Sequence, residues 1–220
     1  MDQDTSVDPL SVPEAILARR SVKHFKPDPI APETLDQLIE LTLIAPSSWN
    51  LQPWRIVLIQ DEARRQALHE AAFRQPQILE APVTMVFAVD VDAWERDLTP
   101  MVEKARAAGA WPDAYCDVVK NIAPQGQKGL AGAGLLREYA IKDAMIAATH
   151  TVLAAQSLGL GTTFMNGYVE AGVKELIGAG DRPEIAIAVI IPVGHPLEVP
   201  TNPGRFPKGE RVFEERLPLG

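Results

Sequence analysis

Three continuous apolar runs, Arg55–Ile59, Pro82–Val89 and Ile185–Ile191, constrain this chain more than any other feature of its sequence. A strand with one wet face alternates apolar and polar residues, so a run without alternation belongs to a strand covered on both faces. The covering helices are readable between the runs. Leu35, Leu38, Ile39 and Thr42 recur at helical spacing. Further helices are expected from Asp61 to about Arg74, over 91–110, from Leu135 to Ser157 and near 169–178. A length of 220 residues suits one domain or two small ones. Strands alternating with helices fit a doubly wound parallel sheet as well as an α+β sheet, and periodicity does not separate the two.

Composition removes several classes of function. With 21 basic against 29 acidic residues the net charge is −8, and no basic run is interleaved with aromatics, which argues against a nucleic-acid partner. The start, Met1-Asp2-Gln3-Asp4, is unlike a signal peptide, and no apolar run approaches the ~20 residues of a membrane helix. The lone Cys116 rules out an internal disulfide framework and a cysteine-built zinc site. A cytoplasmic protein is the simplest expectation.

Candidate chemistry gathers at a few places. Residues 1–10 read as a loose arm, followed by a capping box at Ser11-Val12-Pro13-Glu14 that opens a short helix. That helix delivers Arg19, Arg20 and Ser21 at its end. Two adjacent arginines cannot share a helix face, but an anion lying across the turn would engage both, together with Ser21 and Lys23. A solvated basic patch is the plainer alternative. Pro46 stops the next helix, and Ala45-Pro46-Ser47-Ser48-Trp49-Asn50-Leu51-Gln52-Pro53-Trp54-Arg55 then holds two hydroxyls, two carboxamides and two indoles. An ordinary connector is the competing reading there, since Ser, Asn and Pro are common loop residues.

Residues 111–134 carry a Trp-Pro step and Gly126, Gly129, Gly132 and Gly134, without the strand and lysine that a phosphate loop requires. They read as an irregular segment, a lid insertion, with Trp111 and Tyr115 able to stack on a flat molecule. The helix 135–157 is apolar around most of its circumference, as in a core or a subunit interface. His150 shares a face with Asp143, but no third metal ligand is spaced with them, so a hydrogen-bonded structural histidine is expected. Gly161-Thr162-Thr163-Phe164-Met165 reads as a short strand starting at a glycine that a ring could approach closely.

Two of these stretches, Arg19-Arg20-Ser21-Val22-Lys23 and Pro46-Ser47-Ser48-Trp49-Asn50-Leu51-Gln52-Pro53-Trp54, together resemble the paired signatures of the nitroreductase-like flavoproteins. The likeness continues through Gly159-Leu160-Gly161-Thr162-Thr163 and Gly194-His195-Pro196, and it is weak over 95–134. The resemblance implies an α+β fold over residues 11–220: a mostly antiparallel central sheet flanked by helices, in an intertwined homodimer. It implies FMN at each subunit interface, held by Arg19, Arg20, Ser21 and Lys23, by Pro46, Ser47, Ser48 and Asn50, and by Gly161, Thr162 and Thr163 near its reactive edge. The arm 195–220 would wrap the partner and return Arg205 to the phosphate. The implied activity is ping-pong hydride transfer from NADH or NADPH through the flavin to nitroaromatics, quinones or similar flat small-molecule acceptors. Reductive dehalogenation, flavin fragmentation and a non-catalytic redox module are the alternatives. No other catalytic side chain is expected, because the cofactor carries the chemistry.

Overall fold

The computed structural model describes residues 9–217. Most of the expected N-terminal arm therefore lies outside the described residues. In chain order the elements are α1 (Val12–Ala18), α2 (Pro32–Leu43), β1 (Trp54–Ile59), α3 (Glu62–Ala71), α4 (Gln77–Glu80) and β2 (Val83–Asp90). They continue with α5 (Thr99–Ala107), α6 (Asp113–Gly132), α7 (Leu136–Ser157), β3 (Gly161–Thr162), α8 (Glu170–Leu176) and β4 (Ile185–Gly194). The strands form one sheet in the order β1-β2-β4-β3, with every neighbouring pair antiparallel. That pairing excludes the doubly wound alternative.

The absence of alternation in the strands has a direct cause: each face of the sheet has its own helical cover. Val83, Met85, Phe87 and Val89 of β2 pack with α2 and the alanine face of α7, at Ala144, Ala147 and Ala148. Val86 and Ala88 point the other way, into a cluster with Leu68 of α3 and Val173 of α8. Each fully buried large side chain in these stripes contributes about 1.5–3 kcal/mol. The stripe of β4 changes phase at a bulge, where Phe87 pairs with Val189 but Ala88 pairs with Ile187. Ala188 is the extra residue, so Ala188 and Val189 both face α7.

The capping box forms as expected, with the Ser11 N–H donating to the Glu14 carboxylate at 2.9 Å. Residues 111–134 depart from expectation. They are not irregular: residues 113–132 form a twenty-residue helix, despite Pro124 in its interior. Cys116, Val119, Ala123 and Gln127, spaced by three and four residues, are its buried stripe. The glycines lie off that stripe, and a Cβ on Gly126, Gly129 or Gly132 would meet nothing within 4 Å. With α5, this helix makes a hairpin centred on Val102, Cys116 and Val119. The 91–110 helix is correspondingly shorter, a turn at Ala93–Glu95 followed by α5.

Candidate functional site

Two groups of the expected residues are assembled in the chain, at different places. The first forms around the segment leaving α1. Its backbone joins the sheet end: Ser21 bridges Thr162 in parallel, and the Val22 N–H donates to the Thr162 carbonyl at 3.0 Å. Phe25 bridges Pro196, and its N–H donates to the Glu80 carboxylate at 3.0 Å. Ser21 and Lys23 are thereby fixed, exposed, beside β3, with Arg19 and Arg20 half-buried at the helix end.

Arg205, 48 residues beyond the end of α7, lies near enough for its charge to be felt at Arg19. The Arg19 guanidinium is held below its ordinary basicity, first by burial and then by repulsion from Arg205 and Arg20. Among the described residues no carboxylate pairs with Arg19, Arg20 or Arg205. The Arg20 side chain turns back onto the Leu17 and Arg19 carbonyls, at 2.7 and 2.8 Å. Converging guanidiniums without a counter-charge form an anion site, and planar forks match the oxygens of a phosphate.

At Gly161 the structure gives the glycine another reason. A Cβ there would lie 2.6 Å from Val22 Cγ2 and 3.3 Å from Pro196 Cβ. The close approach is made by the chain's own arginine segment. Thr162 and Thr163 are buried, at 2% and 3% exposure, under the elements that hold that segment.

The second group is the loop between α2 and β1. Three of its non-glycine residues, Trp49, Asn50 and Gln52, have φ of 54°, 58° and 46°. Such left-handed backbone costs roughly 1–2 kcal/mol per residue and persists only where the surroundings over-determine it. Here they do. Ser48 donates its N–H to both oxygens of Asp143 on α7, at 3.1 and 3.2 Å, and its hydroxyl to Oδ1 at 3.1 Å. The Gln52 N–H donates to Ser47 Oγ at 2.9 Å, and Gln52 Nε2 donates to Asn50 Oδ1 at 3.0 Å. The Trp49 indole packs against the α5–α6 hairpin.

Asp143 is the anchor of this loop that sequence reasoning missed. Its seven-residue offset from His150 drew attention to the wrong partner. Burial pushes its carboxyl up from the ordinary aspartate range, and the Ser48 bonds pull against that shift. His150 makes no side-chain hydrogen bond among the described residues. Instead it lines an apolar groove with Leu10, Val12, Ala15 and Leu41.

Between loop and hairpin opens a cavity of about 790 Å³, lined by Pro46, Ser47, Trp49, Asn50, Trp111 and Tyr115, among others. Its size and mixed apolar and amide lining suit a small organic molecule. Trp111 and Tyr115 meet edge to face, with ring centroids 5.2 Å apart. None of the arginine group lines this cavity, so within one chain the two groups remain separate.

Known proteins resemble this chain over most of its length. The Nitroreductase family profile matches residues 16–195, which include both groups except Arg205. An NADH dehydrogenase from Thermus thermophilus is 31% identical over 204 residues, 92% of this chain and 95% of that protein. An FMN reductase [NAD(P)H] from Bacillus subtilis is also 31% identical, covering 89% of this chain and 70% of its own length. A protein from Exiguobacterium sibiricum solved in complex with FMN superposes with a TM-score of 0.84 at 24% identity, over 95% of this chain and 99% of that one. An antiparallel sheet clasping a cluster of arginines, and a match spanning most of the sequence, place the chain in the nitroreductase family.

Proposed function

We propose that this protein is an FMN-dependent oxidoreductase that draws on NADH or NADPH to reduce flat, electron-poor acceptors such as quinones and nitroaromatics. The observation that carries this reading is the Arg19–Arg20 pair at the end of α1, which no carboxylate among the described residues neutralises, with the charge of Arg205 felt at Arg19. These guanidiniums would hold the phosphate of FMN, with Ser21 and Lys23 placed to meet the rest of the cofactor. A flavin bound there would supply two-electron hydride chemistry between a nicotinamide and the acceptor. Lys23 would offer a preorganised positive charge to the negative charge that develops on reduction. Pro46, Ser47, Ser48 and Asn50 supply the other wall of the flavin site. The α5–α6 hairpin closes the acceptor cavity and keeps water out of it.

Because the arginine group and the loop stand apart in one chain, the site is completed between two copies, arginines from one and loop from the other. Exposed apolar side chains support that arrangement. Val12, Ile16 and Leu17 of α1 are 67%, 55% and 74% exposed, and Ile44 at the end of α2 is 73% exposed. Residues 201–217 form no strand or α-helix and are exposed throughout, which suits an arm laid on a partner.

The test is spectroscopic. The purified protein is expected to be yellow, to release FMN rather than FAD on denaturation, to bleach with NADH or NADPH, and to recover its colour with added quinone. A colourless protein that neither binds added FMN nor consumes NAD(P)H in its presence would defeat the reading.

A further inference from the structure

Lys104 of α5 is the one charged side chain among the residues that line the 790 Å³ cavity, whose other walls are aromatic, aliphatic and amide. The ion pairs of the hairpin pass it by: Glu103 pairs with Arg106 and Lys120, and Arg106 also pairs with Asp113. Among the described residues no carboxylate neutralises Lys104, in a chain whose net charge is −8. A lone cation on the wall of a largely apolar cleft attracts an anion more strongly than it would on open surface, because the low-dielectric walls reduce screening.

We propose that this cavity selects flat aromatic acceptors that carry an anionic substituent, a carboxylate above all, with Lys104 as the specificity-determining residue. The inference rests on the acceptor site described under Proposed function and adds the charge class of its substrate. Trp49, Trp111 and Tyr115 provide the aromatic surfaces for the ring, and Lys104 meets the acid group. The phosphates of FMN and of NADH or NADPH are the other anions within the protein's chemistry. Those groups are met by arginine forks or clustered cations, whereas this cavity offers a single ammonium beside aromatic rings. With a nitroaromatic acid the chemistry balances simply. Reduction of the nitro group to the hydroxylamine takes two hydrides from two NAD(P)H and two protons from solvent, and releases one water. The carboxylate is unchanged throughout and serves only recognition.

The experiment compares the FMN-loaded wild type with Lys104→Met and Lys104→Arg, exposed-helix substitutions by good helix formers. The first arm is calorimetric, with 1-naphthoate and its neutral counterpart 1-naphthamide, neither of which is reduced. Lys104→Met is expected to lose about two- to fivefold in naphthoate affinity, the scale of an exposed ion pair. Naphthamide affinity should stay unchanged, and Lys104→Arg should retain naphthoate binding. Added salt should weaken naphthoate alone. The second arm measures kcat/KM for 4-nitrobenzoate and 4-nitrobenzamide, where the acid-to-amide ratio should fall by the same factor in Lys104→Met.

Equal effects on acid and amide, or none on either, would overturn the proposal. So would a rise confined to the KM of NADH or NADPH, which would assign Lys104 to the reductant. Absence of turnover with every acceptor would instead count against the oxidoreductase reading, and the calorimetric arm would still decide the role of Lys104.

Discussion

Ser48 and Asp143 tie the strained loop to α7, and the tie has a pH signature. Burial raises the Asp143 carboxyl above its ordinary range, despite the opposing Ser48 bonds. The folded state therefore binds this proton more tightly than the unfolded chain does. The resulting stability is fully present below the unfolded value and is lost as pH rises through the elevated folded one. The unfolding free energy of wild type minus that of Asp143→Asn should accordingly fall across that window, measured by urea titration at stepped pH. A difference that climbs over the same range would contradict the raised carboxyl. At Arg19 two effects oppose one another. Replacing it by Ala removes a charge-assisted bond to phosphate, about 1.5–3 kcal/mol, or roughly ten- to hundredfold in FMN affinity. It also relieves repulsion from Arg205 and Arg20. The flavin-free variant should therefore melt no lower than flavin-free wild type, while a flavin titration shows the loss; full affinity in Arg19→Ala would remove the residue from the site. The arginines were singled out in sequence by the family signature, since a solvated basic patch explained the residues alone equally well. Asp143 was not, since its partner lies 95 positions away and no local pattern marks it.

Strands were the most readable elements, because burial on both faces leaves an unbroken apolar run that little else produces. Helix α6 was the least. Its buried stripe at 116, 119, 123 and 127 has helical spacing, but Pro124 and the glycines carry the poorest helix propensities and mask it. Tertiary packing on α5 and Trp49 overrides those preferences. The glycines therefore cost stability without serving packing. Gly129→Ala meets open space at an ordinary φ and should stabilise the protein by about 0.5–1 kcal/mol. Calorimetry should show a melting point about 1–4 °C higher. A lower one would mean that this helix is held in a conformation alanine cannot share.

For the molecule as a whole, periodicity left parallel and antiparallel sheets equally open and the family resemblance favoured the antiparallel one, which the pairing of β2 with β1 and β4 bears out. The apolar face of α1 and the end of α2 was hidden from sequence reading, since exposure of a leucine is not written in its neighbours. That face predicts association: equilibrium sedimentation should give twice the 24.0 kDa chain mass. A flavin-loaded monomer at micromolar concentration would sink the shared site.

The clasp between residues 21–25, Thr162 and Pro196 has a further consequence, for biosynthesis. Arg19 and Arg20 leave the ribosome well before the sheet end that positions them, which is complete only at Pro196, and the third guanidinium follows at Arg205. Domains of this size form their long-range contacts late. Until then the arginine pair is held by nothing but its own short helix. On the proposed function, loading of a phosphate-bearing cofactor would therefore follow the synthesis of residue 205, and flavin capture would report that residues 19–205 have found their fold.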